Sequence, residues 1–147
     1  MAPSEYGIRL QKGITGGFAP PTPTAIYQLY KESEGSSIKV SKSEREDGTP
    51  SLGAALEKSL DASDEALDLV DELYNILKEL PIEQPAGSED IYGHDTSIAW
   101  FDNDFQWLNG SHSGVQGGSS YVQASADQKK LFERAIEIVQ SLVDMAE

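Results

Sequence analysis

Two short runs in which apolar and polar residues alternate stand on either side of Gly16-Gly17-Phe18-Ala19-Pro20-Pro21, and this arrangement constrains the fold more than any other feature of the chain. Tyr6, Ile8 and Leu10 alternate with Arg9 and Gln11; Ala25, Tyr27 and Leu29 alternate with Gln28. A period of two puts one set of side chains on each face of a strand, so the runs read as a half-buried strand pair. The glycines between them allow φ > 0, whereas the prolines fix φ and remove backbone donors. Phe18 is therefore carried on a stiff, donor-poor connection, where it is either a plug tucked under the sheet or an anchor held out for a partner.

Further elements follow along the chain. Ile38 and Val40 mark a third strand over 37–41, after a turn at Ser33-Glu34-Gly35-Ser36. Polar residues with Gly48 and Pro50 make 42–50 a flexible surface connection. A helix is expected to begin near Asp61 or Ser63 and to stop before Pro81, which cannot continue it. Its inward stripe is Ala66, Leu67, Val70, Leu73, Tyr74, Leu77 and Leu80, and acidic residues crowd its N-terminal half, where the helix dipole favours them. The stretch 51–60 allows an earlier helical turn through Ala54, Ala55 and Leu56, which Gly53 weakens. A second helix opens on Ser125-Ala126-Asp127-Gln128, the Ser-x-x-Gln form of a capping box. Leu131, Phe132, Ala135, Ile136, Val139, Leu142 and Val143 give it one apolar stripe.

Between the helices, Ile98 to Phe101, Phe105 with Trp107, and Tyr121 with Val122 read as strands, with a turn at Asp102-Asn103-Asp104 and a hairpin signal at Asn109-Gly110. The Ser/Gly-rich stretch 110–120 has little bulk to bury and reads as a flexible loop. Together these elements imply one α+β domain over 1–147, an antiparallel sheet packed against two main helices.

Composition narrows the function. Eleven Lys plus Arg against 25 Asp plus Glu leave a net charge of −14, which repels a phosphate backbone, so no nucleic acid is expected as a partner. The charge is uneven: 1–45 holds six bases and four acids, 57–95 two bases and twelve acids. No run approaches the roughly 18 apolar residues of a membrane span. The absence of cysteine removes thiolate chemistry and, with no secretory pattern at the start, suggests a cytoplasmic protein that does not meet a membrane.

Catalytic and metal-binding patterns are incomplete, and neither a cofactor nor a metal is expected. Asp102-Asn103-Asp104 opens like a calcium loop, but Gln106 and Trp107 occupy positions that need an oxygen ligand and a turn glycine. His94-Asp95 with Ser111-His112-Ser113 offers the residue types of a hydrolase triad without the Gly-x-Ser-x-Gly elbow. The two histidines, His94 and His112, lack His-Glu-x-x-His spacing for zinc. Asn109-Gly110-Ser111 is a glycosylation acceptor that has meaning only in a secreted protein. A lectin-like reading of 102–121 takes Trp107 and Tyr121 as stacking faces for a sugar and Asn109 and Asp104 as hydroxyl ligands. The alternative role of Trp100 and Trp107 is simple packing on a sheet face.

The run ending in Gly16-Gly17-Phe18-Ala19 resembles the Gly-Gly-Phe-Ala signature of emfourin-like proteins, small intracellular inhibitors of thermolysin-like metallopeptidases. The order of strands, long acidic helix, further strands and terminal helix is also similar to that family's, although Pro20 and Pro21 stand where it commonly has Gly. The resemblance implies a non-enzymatic inhibitor that covers a peptidase cleft by steric occlusion. The residues expected to meet the partner are Gly16, Gly17, Phe18, Ala19 and Pro20, joined by Trp107 and by His112, the histidine of the Ser/Gly loop.

Overall fold

The inward-facing residues of the first two strands meet across a continuous ladder. In the computed structural model, which describes residues 4–13, 25–44, 55–85, 88–110 and 119–146, β1 (Tyr6–Lys12) pairs antiparallel with β2 (Ala25–Lys31) from Tyr6↔Lys31 to Lys12↔Ala25. Tyr6, Ile8, Leu10, Tyr27 and Leu29 are buried on one face, as the alternation requires. Two further strands extend this pair outward, β3 (Ser37–Glu44) and β4 (Leu56–Asp61). On the other side come β5 (Thr96–Phe101), which pairs with β1, and β6 (Gln106–Leu108). The result is a six-stranded antiparallel sheet in the order β4-β3-β2-β1-β5-β6, with β1 and β2 at its centre.

Two helices cover one face. Ser63 caps α1 (Asp64–Glu79), its hydroxyl accepting from the Ala66 N–H, and Pro81 follows just after the C-cap at Leu80. Ser125 and Gln128 close both bonds of the capping box that starts α2 (Ala126–Met145). Ala66, Val70, Leu73, Ile76 and Leu77 from α1 and Phe132, Ala135, Ile138, Val139, Leu142 and Val143 from α2 are buried in one core with the sheet. Ile76 and Ile138 belong to these stripes, whereas Leu67, Leu131 and Ile136 lie at their margins. Arg134 on α2 joins Glu72 on α1 through two hydrogen bonds of 2.6 and 2.9 Å. The tryptophans tie helices to sheet: Trp100 of β5 packs against Tyr74 of α1 at 5.2 Å, and Trp107 of β6 against Phe132 of α2 at 6.3 Å, where Phe132 also stacks on Tyr92 at 4.2 Å. The chain is thus a single α+β arrangement, and none of its described helices is long and apolar enough to cross a membrane.

Four local expectations are corrected. Residues 56–61 form a strand rather than a helical turn, while 51–54 lie outside the described residues: Leu56 and Leu60 have helical spacing, but the free edge of β3 captures the segment, burying Leu60 beside Ile38 and leaving Leu56 exposed. Tyr121 and Val122 form no strand. The Tyr121 N–H donates to the Gln84 carbonyl at 2.7 Å while its ring is 91% exposed, so the segment is tied down by individual hydrogen bonds rather than a ladder. The third strand runs on to Glu44, because β2 pairs with it as far as Ala25↔Glu44, so 42–44 are strand rather than a flexible connection, and 45–50 lie outside the described residues. Phe105 lies before β6, in the turn that Asp102 organises.

Candidate functional site

Antiparallel pairing sorts the connections between the two ends of the sheet. Lys12↔Ala25, Ala25↔Glu44, Lys42↔Leu56 and Lys12↔Thr96 place the end of β1, the start of β2, the end of β3 and the starts of β4 and β5 at one end. Ala99↔Leu108 sends β6 out in the same direction. The Gly/Pro segment 14–24, the connection 45–54 and the Ser/Gly segment 111–118 are therefore all attached at this end. Gly16, Gly17, Phe18, Ala19, Pro20 and His112 lie on these segments, outside the described residues.

The roots of two of them are fastened. Gly13, at φ 88°, donates its N–H to the Asp95 carbonyl at 2.8 Å, joining the start of the Gly/Pro segment to the approach to β5. Gly110, at φ 79°, is in a conformation that costs glycine little. Beside it, Asn109 is 2% exposed; its side chain accepts from the Ile98 N–H at 2.8 Å and donates to the Thr96 carbonyl at 3.0 Å. Lys12 reaches Gln140 of α2 at 3.0 Å and lies over the Tyr27 ring. Tyr27 in turn donates to Glu44 at 3.2 Å, and burial, followed by the Glu44 charge, pushes its phenol up to about 12. This end of the sheet is a hydrogen-bonded base built from ordinary strand and side-chain bonds.

Trp107 does not belong to that surface. Its ring is 3% exposed, its indole N–H donates to the Leu80 carbonyl at 3.0 Å, and it packs with Phe132, because it shares the inward face with Trp100 at the Trp100↔Trp107 pair. It is removed as a partner-binding residue. The sugar platform loses its parts for the same reason, since Trp107 and Asn109 are buried while Tyr121 and Asp104 are exposed elsewhere.

The Asp102 carboxylate is occupied by its own turn. Oδ1 accepts from the Asp104 and Phe105 N–H groups and Oδ2 from the Trp100 indole, each at 2.7 Å. Burial opposes its ionisation, but these three hydrogen bonds outweigh that and hold the group below the usual carboxylate range. Among the described residues no cluster of three potential metal ligands occurs. His94 is exposed and its ring approaches Phe132, while Ser111, His112 and Ser113 lie outside the described residues.

The face of the sheet away from the helices carries a feature that the sequence reading passed over. Tyr30, Gly7 and Phe101 form one cross-strand row, and Gln28, Arg9 and Ala99 form the next. Tyr30 and Phe101 are 42% and 38% exposed, although large aromatic residues are mostly covered in a folded domain. The signal was present in the sequence as aromatics in the solvent phase of strands β2 and β5. No protein-family model, curated protein or solved structure matches this chain.

Proposed function

We propose that this protein inhibits a thermolysin-like metallopeptidase by steric occlusion, presenting the Gly/Pro segment 14–24 from the end of its sheet. The observation that supports this reading is the fastened root: β1 and β2 remain paired up to Lys12↔Ala25, and Gly13 is bonded to Asp95. A segment presented from paired central strands loses less freedom on docking, which favours affinity. Gly16 and Gly17 let the backbone approach closely, Pro20 stiffens it, and Phe18 serves as the anchor that fills a subsite. The segment containing His112 leaves the same end and supplies a second contact. Residues of the inhibitor carry no bond-making chemistry in this reading, and a cysteine-free composition suits action in the cytoplasm.

The test is a titration of the purified protein against a panel of thermolysin-like peptidases. Stoichiometric loss of activity, relieved in Phe18→Ala, is the expected result. A panel wholly unaffected at micromolar protein overturns the reading.

A further inference from the structure

Gly7 has no conformational need to be glycine. Its backbone is extended within β1, and a Cβ built there would meet only ordinary contacts, 4.0 Å from the Leu29 carbonyl oxygen and from Cδ2 of Tyr30. A strand interior loses stability at glycine, and such a residue often marks a place where a ligand approaches the backbone. Here it forms the floor of a groove. Tyr30 and Phe101 flank it from the neighbouring strands, about 10 Å apart at two strand spacings. The space over Gly7 and Arg9 measures about 290 Å³ and continues past Gly7 into a further space of about 370 Å³ toward Glu5 and Asp102.

The polar groups along this groove are arranged with a direction. At one end is Arg9, half-buried in the middle of the face, with no hydrogen bond or ion pair among the described residues. The other cation on this face among the described residues, Lys39, has a partner in Glu32 at 3.7 Å. A guanidinium uncompensated among the described residues is unusual in a chain of net charge −14, where carboxylates are abundant. Burial also pushes the Arg9 pKa down, as follows from partial loss of water. At the far end Glu5 holds the Tyr30 hydroxyl at 3.0 Å, and Asp102 adds a second negative charge.

We propose that this groove binds a small organic carboxylate with a flat apolar body, its carboxylate on Arg9 and its body over Gly7 between Tyr30 and Phe101. Arginine suits the head group because its planar fork matches a carboxylate in a bidentate manner. The aromatic walls suit the body through offset or edge contacts. Glu5 and Asp102 repel a carboxylate from the opposite end and thereby set the ligand's orientation. The size is that of a ligand with a single ring, at the lower limit of small-molecule pockets. This site lies among the described residues on the face of the sheet away from the helices, and the proposal does not rest on the inhibitor reading.

Phenylacetate titrated into the isotopically labelled protein provides the test, with phenethylamine as the control of opposite charge. Saturable shifts are expected at the Gly7 and Ala99 amides, and at the Trp100 indole, whose N–H is bonded to Asp102. Arg9→Gln should weaken binding at least about tenfold, the loss of a hydrogen-bonded charge pair. Gly7→Val should abolish the shifts without lowering the melting temperature; Gly7→Ala replaces it if the larger side chain prevents folding. No saturable response at millimolar phenylacetate, an equal response to phenethylamine, or unchanged affinity in Arg9→Gln overturns the proposal.

Discussion

Gly110 donates its backbone N–H to the Glu83 carboxylate, Oε2 lying 2.9 Å away, and both residues are buried. Glu83 belongs to the stretch between α1 and β5, so one carboxylate joins that stretch to the root of the Ser/Gly segment. Glu83→Ala leaves the Gly110 N–H buried without this acceptor, and about 1–3 kcal/mol of stability should be lost. Chemical denaturation measures the loss, and hydrogen exchange at Gly110 should accelerate in the same variant. Unaltered exchange at Gly110 would show that the bond does not hold the segment.

Phe132 should be the most sensitive apolar position on α2. It is fully buried, stacked on Tyr92 and packed beside Trp107. Phe132→Ala removes the ring and leaves a cavity between helix and sheet, so a loss of about 3–5 kcal/mol is expected. That is a large part of the roughly 5–15 kcal/mol available to a small domain. A melting curve close to the parent's would contradict the packing described for α2.

Phe18→Ala separates anchor from plug. If Phe18 is the anchor of the proposed inhibitor, the variant should melt like the parent while binding to the peptidase weakens by at least about 2 kcal/mol. Pro20→Gly should weaken binding through lost preorganisation, again with little change in melting. A large melting shift in Phe18→Ala with inhibition intact would make the segment structural.

Alkaline pH should unfold the protein through its tyrosines. Tyr6 and Tyr92 are raised above the ordinary phenol value chiefly by burial, with the charges of Asp71 and Glu83 adding to it; Tyr27 is pushed up to about 12. Because the folded state holds these protons more tightly, the stabilisation is complete below the unfolded phenol pKa of about 10. It is lost as pH rises from there through the folded values. Phenolate absorbance followed beside circular dichroism should show part of the tyrosine titration coinciding with unfolding. Titration of every tyrosine near pH 10 with the fold intact would refute this.

Local signals were the most legible part of the sequence. Ser125 and Gln128 announced α2 because a capping box involves only four consecutive residues, and the alternation around Leu10 and Leu29 revealed β1 and β2 because each strand has one buried face. β4 was hidden, since its strand character comes from pairing with β3 and not from its own Leu56/Leu60 spacing. Trp107 could be read either as a surface platform or as core, because a three-residue strand does not reveal which face is covered; the Trp100↔Trp107 register decides it. The row Tyr30, Gly7 and Phe101 was only half legible: its aromatics stand in the solvent phase of β2 and β5, but their meeting on either side of Gly7 depends on the pairing of β1 with the distant β5.

The central place of β1 has a consequence for how the chain comes to be folded. β1 is made before the other described strands and needs β2 on one side, which follows at once, and β5 on the other, which is made only after β3, β4 and α1. Ile8 therefore waits for Trp100, and α2, which seals the core, is the last of the described elements to be made. Closing such a distant pair incurs its entropy before the contacts reward it, so folding should be slow for a domain of this size and complete only once α2 has been made. Until then the apolar edge of β1 is open, and a nascent chain halted before β5 is the form of this protein most exposed to aggregation.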